Sequence, residues 1–313
     1  MGRGKQKYGE KNIMPPGDLR KLHLIELDLL LELDRICRKH NIEYIIAYGT
    51  LLGAVRHGGF IPWDDDLDTC MLRSEYERFC EVCEKELDQK KFFLQNDKTD
   101  KAYRWGYAKL RRRGTEYIRD GQEAIKCFSG VSIDIFVMDN VPDFYPLRCL
   151  HFWIRRACIK TLWSVVGATE DPSLIKRMIY CGLRHVNKKI PLGIMEWMAG
   201  KTDKRKTEYL CPTGFYRKDK FTKRKSEMVG PRAEWFETRI EMEFEGFPFY
   251  TIKEYDAYLK DNYGNYMSYP PKSKRYLHPP KSYSLDVDVD LRGRSMEDYM
   301  KGYTNKQKNG EIK

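Results

Sequence analysis

Between residues 18 and 40 the apolar side chains Leu22, Ile25, Leu29, Leu33 and Ile36 recur three or four positions apart. That spacing predicts a helix with one buried stripe. Asp18, just after Pro15-Pro16-Gly17, is the expected N-cap, and Asn41 the stop. Glu43–Tyr48 (EYIIAY) is a short apolar run and predicts a strand, broken by Gly49-Thr50. Residues 50–56 (TLLGAVR) predict one or two helical turns. Gly58-Gly59 predicts a loop whose exit Pro62 fixes. DDDLDTCM predicts a strand from Asp66, and residues 74–88 a helix with Ser74 as cap. Further strands are expected at 102–109, 115–118 and 131–138. The last of these alternates cleanly, with Val131, Ile133, Ile135 and Val137 against Ser132, Asp134, Phe136 and Met138.

The texture changes at 146–200, which is dense in Trp, Arg, Leu and Ile and predicts two or three helices inserted into or beside the sheet domain. Residues 201–232 are basic and irregular, and 235–250 alternate aromatic and charged residues as strands do. Ile252–Tyr263 predicts a helix stopped by Gly264. The last thirty or so residues are polar and predict a loosely held tail. Together these elements describe an α+β protein. Its expected organisation is a flexible N-terminus at 1–17, a core at 18–145 and a helical insertion at 146–200. A basic segment and the rest of the core follow at 201–280, then a polar tail at 281–313.

With 41% hydrophobic and 13% aromatic residues in 313, the chain is globular. No apolar stretch reaches the roughly 18–20 residues of a membrane span, and the basic N-terminus has no apolar run behind it to make a secretory signal. The nine cysteines are therefore expected as reduced thiols of a cytoplasmic protein. Cys80 and Cys83 form a CxxC without a second pair. They fall on one helical stripe with Tyr76, Phe79 and Leu87, which favours core packing over zinc. Net charge is +11, and residues 201–232 hold eleven Lys and Arg against four Asp and Glu. Such a surface is either a solvated basic face or one that attracts polyanions or anionic lipid. Trp153, Ile154, Ile159, Leu162 and Trp163, with Arg155, Arg156 and Lys160, predict peripheral contact with the inner face of an anionic membrane.

The chemistry concentrates in AYGTLLGAVRHGGFIPWDDDLD, residues 47–68. On a strand Asp66 and Asp68 share a face while Leu67 points the other way. Crowded carboxylates repel, and a divalent cation bound by their oxygens resolves the repulsion. Flanking Trp63 and Leu67 argue against the alternative, a solvated acidic loop. If the strand of Asp134 lies beside that of Asp66, three carboxylates converge. Two then hold a metal, and the third can also accept a proton. Gly49-Thr50, between a strand and a helical turn, would aim N–H groups and a hydroxyl at a phosphate.

The order Gly-Thr, Asp-Leu-Asp, Ile-Asp-Ile resembles the nucleotidyltransferase superfamily, the fold of DNA polymerase beta. YGTLLGAVRHGGFIPWDDDLD, GVSIDIFVMD and YGNYMSYPPKSKRYLH together resemble the LicD family of phosphocholine transferases, which includes the fukutin-related proteins. The likeness runs from about residue 18 to 280 and is weak at 145–235. It implies a mixed sheet flanked by helices, with a helical insertion. It also implies Asp66, Asp68 and Asp134 as catalytic, metal-binding acids, Mg2+ or Mn2+ as the ion, and Asp64 as an acidic position before the pair. Gly49 and Thr50 would bind phosphate, and Arg56, Lys272, Lys274 and Arg275 are candidates to hold a diphosphate. His57 and His278 are secondary candidates as proton carriers or phosphate donors, against ordinary structural hydrogen bonding. The implied activity moves phosphocholine from CDP-choline, or a related CDP-alcohol, to a sugar hydroxyl of a cell-surface glycan, teichoic acid or lipopolysaccharide precursor. The acceptor is a glycan or lipid-linked glycan, and no nucleic acid is expected as a partner. The alternatives are glycerol-phosphate, ribitol-phosphate or nucleotide transfer, and an inactive scaffold that binds polyanions or lipid.

Overall fold

The computed structural model describes residues 14–202, 205–213, 230–271, 275 and 280–300. Helix α1 (Pro16–His40) begins two residues before the expected cap. Pro15 is its N-cap and Pro16 its first residue, where a missing N–H costs nothing; Asp18 lies in the first turn. Asn41 ends the helix in the left-handed conformation, as anticipated. The helix buries more than one stripe. Glu26, Asp28 and Asp34 are buried along with its leucines. Two of these acids meet donors: Asp28 accepts from Arg112 at 3.1 Å, and Asp34 accepts from Tyr44, Arg38 and Arg292.

Strand β1 shrinks to Ile45–Ile46, and helix α2 (Tyr48–His57) starts before the glycine expected to break the strand. Gly58 closes α2 at φ +66°, a conformation glycine adopts without strain. Strand β2 (Asp68–Leu72) starts two residues later than expected, so Asp66 lies in the segment leading into it. Helix α3 (Arg73–Glu86) follows directly; Ser74 lies inside it and caps nothing. Strand β3 (Phe92–Gln95) was not anticipated, and β4 (Ala108–Arg112) lies further along the chain than 102–109. Strands β5 (Glu116–Arg119) and β6 (Ser132–Asn140) follow.

The main sheet runs β1-β2-β6-β4-β3. Strands β2 and β6 are parallel and the other pairs antiparallel. A further strand, β7 (Leu210–Pro212), comes from the segment expected to be irregular and pairs with the far half of β6. Side chains alternate across this sheet. Met71, Leu110, Ile133 and Ile135 pack with α1 and α3 in the larger core. Cys70, Phe136 and Met138 face the opposite way, toward α2. Leu67 is fully buried in the larger core, Phe79 and Cys83 pack there too, and Cys80 lies against them.

Helices α4 (Tyr145–Glu170), α5 (Leu174–Leu183) and α6 (Lys189–Thr202) make the expected helical segment. It is tied to the sheet by Arg155, which lies 3.6 Å from Asp139 and donates to the Pro212 carbonyl. This corrects the membrane expectation in part. Arg155 and Leu162 are buried, and Ile154 and Ile159 pack against Cys158, Leu162 and Met195. After a 3-10 turn at Ala233–Phe236 come the hairpin β8 (Arg239–Phe244) and β9 (Phe247–Ile252), then α7 (Tyr255–Tyr263). Within the expected polar tail, β10 (Pro280–Ser284) pairs with β5, and Val289 and Leu291 are buried in the larger core. No helix among the described residues is long and apolar enough to cross a membrane.

Candidate active site

The parallel register sets Asp68 directly opposite Asp134, and the antiparallel register sets Lys109 opposite Asp134 on its other side. Asp68, Asp134 and Lys109 therefore form one row across the sheet, on the face away from α1. The Lys109 ammonium donates to Asp134, and both side chains are buried. Burial pulls the lysine below its ordinary range, and Asp134 opposes that pull. Asp68 goes the other way. Burial raises its carboxyl well above the usual range, and Asp66, Asp134 and Asp64 add to the effect.

The loop before β2 supplies the other acids. Asp66 lies 3.5 Å from the Arg119 guanidinium of β5, and Tyr117 on the same strand donates to Asp65 at 2.7 Å. Burial alone would lower Arg119, but Asp66, Asp65 and Asp134 outweigh it and hold the guanidinium firmly charged. Glu26 of α1 is a further carboxyl behind this group. Burial raises it well above the usual range, followed by Asp66 and Asp65, and among the described residues its buried Oε2 has no hydrogen-bond partner.

Local contacts explain the Gly-Thr pair. A Cβ at Gly49 would sit 2.9 Å from Asp64 Oδ2, so any other residue there would push that carboxylate aside. The Thr50 hydroxyl accepts from the backbone N–H of Asp68 at 2.7 Å. It thereby fixes the start of β2, and it is buried. His23 of α1 meets the Asp64 carbonyl at 2.8 Å and stacks on Phe60 at 4.1 Å, which holds the acidic loop from below.

At the C-terminal end of α2 lies a group of aromatics and cations. Trp63 and Tyr269 are 5.9 Å apart. Arg275 lies over Trp63 at 4.5 Å, and Arg56 over Tyr269 at 4.9 Å while donating to the Tyr266 carbonyl. Two of the four cations expected to hold a diphosphate are thus neighbours; Lys272 and Lys274 lie outside the described residues, as does His278. Among the described residues neither ring nitrogen of His57 has a hydrogen-bond partner, and the ring meets Trp63 and Tyr269 edge-on. Burial, then Arg56, lower it to about 4, so it is neutral near pH 7.

Does this arrangement suit a cation? Asp64, Asp66, Asp68 and Asp134 bring four carboxylates against Lys109 and Arg119, and burial first, then the neighbouring carboxylates, raise Asp68. Asp68 and Asp134 side by side fit an added divalent ion. The three-acid convergence expected from sequence is not seen: among the described residues no three Asp, Glu, His or Cys side chains gather as a metal-holding group. Asp66 meets Arg119 at 3.5 Å, a residue that β5 brings from another part of the chain.

Residues 41–129 match the family model described as LicD/FKTN/FKRP, nucleotidyltransferase domain. Over 267 residues the chain is 31% identical to the lipopolysaccharide cholinephosphotransferase LicD of Haemophilus influenzae, covering 83% of this chain and 95% of that protein. The chain belongs to the LicD family. Shorter stretches match uncharacterized proteins of Rickettsia typhi (44% over 54 residues) and Rickettsia prowazekii (49% over 47), each covering 18% of the relative. In this LicD-family chain, sequence reasoning singled out the acids and Arg56 as candidates but did not single out Lys109, Arg119, Tyr117 and Glu26. Lys109 and Arg119 carried no signal, Lys109 being a single cation at the end of an expected strand and Arg119 lying one residue past another. Glu26 did, as an acid one residue past Ile25 in the apolar stripe of α1.

Proposed function

We propose that the chain transfers phosphocholine from CDP-choline to a sugar hydroxyl of a lipopolysaccharide-type glycan. The observation that carries this is the Asp68–Asp134 pair, in register on adjacent strands with surplus negative charge around it, in a chain alignable with almost all of a cholinephosphotransferase. The order β1-β2-β6-β4, with acids on β2 and β6 and the glycine-threonine pair in the first turn of α2 beside β2, supports a nucleotidyltransferase architecture.

In the proposed reaction the acceptor oxygen attacks the phosphorus that bears choline. The new O–P bond forms as the bond to the bridging oxygen breaks, and CMP leaves. A carboxylate of the Asp68–Asp134 pair takes the acceptor proton. Arg56 and Arg275, close to one another over Trp63 and Tyr269, hold the diphosphate and steady the charge on the departing nucleotide. Asp68 and Asp134 would hold Mg2+ or Mn2+, which when bound would supply further charge stabilisation on the phosphate oxygens.

The test is to incubate the full chain with Mg2+, CDP-choline and a lipid-linked oligosaccharide and read the products by mass spectrometry. Gain of one phosphocholine with release of CMP is expected, and loss of both on adding a chelator. Transfer from CDP-glycerol, CDP-ribitol or a nucleoside triphosphate but not from CDP-choline would overturn the donor assignment. Binding of glycan without turnover of any donor would overturn the reading as an enzyme.

A further inference from the structure

Helix α5 breaks the rule that apolar side chains face inward. Leu174, Ile175, Met178 and Ile179 are 56–75% exposed, and the helix buries only Tyr180. The start of α4 does the same with Phe144, Leu147, Leu150 and Trp153, and α6 with Ile190 and Trp197. Isolated exposed hydrophobics are ordinary, but a helix whose apolar face is its outer face marks an interaction surface.

The charge nearby identifies what covers it. Residues 172–195 contain Lys176, Arg177, Arg184, Lys188 and Lys189 and not one Asp or Glu. Trp153 and Trp197 each carry a cation over the ring, Arg156 at 5.0 Å and Lys201 at 5.7 Å. Apolar residues flanked by cations, with aromatic–cation pairs alongside, match the interfacial layer of an anionic bilayer. Ten residues of helix extend about 15 Å, half the thickness of a hydrocarbon core, so α5 would lie in the surface and not span it.

We propose that α5 docks in the head-group layer of an anionic lipid bilayer, inserting Leu174, Ile175, Met178 and Ile179. Lys176, Arg177, Arg184 and Lys189 meet the acidic head groups. The outer residues of α4 and α6 extend the contact. This docking does not depend on the reaction proposed above.

The test is flotation of the full chain with vesicles of phosphatidylcholine alone or mixed with phosphatidylglycerol. Binding is expected to the mixed vesicles at low salt, weakening as salt rises because the attraction is screened. Replacing the exposed apolar set together (L174S, I175S, M178S, I179S) is expected to cut the bound fraction about tenfold or more, because the apolar insertion is lost. Circular dichroism and turnover of a water-soluble acceptor should not change. Replacing the four cations with glutamine should remove the preference for anionic vesicles and leave weak binding to both. Absence of wild-type binding at low salt, or equal binding by the apolar variant, would overturn the proposal. So would sedimentation as a dimer that the apolar variant abolishes, because a second copy would then cover this face.

Discussion

At the scale of single residues, the site is a row of charges whose members constrain one another. Asp134 is buried against Lys109. Removing one partner of such a pair leaves an uncompensated buried charge, which costs about 3–5 kcal/mol. Lys109→Met should therefore lose about that much stability in urea denaturation, whereas the double variant Lys109→Met with Asp134→Asn should recover part of the loss. If the double variant were as unstable as the sum of the singles, the pair would not be coupled. Gly49 separates stability from chemistry. Alanine is the better helix former by about 1 kcal/mol, yet its Cβ would sit 2.9 Å from Asp64 Oδ2. We expect Gly49→Ala to keep its unfolding midpoint and lose most of its phosphocholine transfer. Unchanged turnover would show that the approach of α2 to Asp64 has no part in the reaction.

At the scale of elements, the strands added late in the chain are structural. Strand β10 pairs with β5, the strand that carries Tyr117 and Arg119 to the acidic loop, and Leu291 just beyond it is fully buried among the residues of the larger core. A residue in a loose tail can be truncated without effect. A buried leucine cut to alanine costs about 2–5 kcal/mol through lost transfer energy and the cavity left behind. Leu291→Ala should show that loss in urea. A midpoint equal to wild type would mean that residues 285–291 do not pack in solution as described.

At the scale of the whole molecule, buried histidines couple stability to pH. His151 on α4 is held down to about 4 by burial, then by Arg155. In the unfolded chain a histidine takes its proton near 6.5. Between those values the unfolded state binds more protons, so the contribution of His151 is complete above about pH 6.5 and is lost as pH falls toward 4. Other buried groups, such as Asp28 held up to about 6 by burial despite Arg112, act in the opposite sense. The clean readout is therefore a difference. His151→Gln should gain stability relative to wild type on going from pH 7 to pH 4.5, measured as urea midpoints at both. A pH-independent difference would show that His151 titrates normally in the fold.

The same scales separate what the sequence by itself determined from what it left to the tertiary structure. The 22–36 stripe of α1, the alternation of β6 and the Gly-Thr and Asp-Leu-Asp pattern are local, because a period of 3.6 or 2 is written in consecutive residues. They were enough to place α1, α2, α3 and β6 and to mark Asp68 and Asp134 as candidates whose faces the sheet then brought together. Strands β3, β7 and β10 escaped because each is at most five residues long, too short for a period to show, so its identity comes from its partner strand. The same holds for Lys109 beside Asp134, Arg119 beside Asp66 and the exposed apolar face of α5. Local spacing states which residues share a side of one element. Which charge meets which, and which apolar face finds no cover, is settled only when register and packing bring distant segments together.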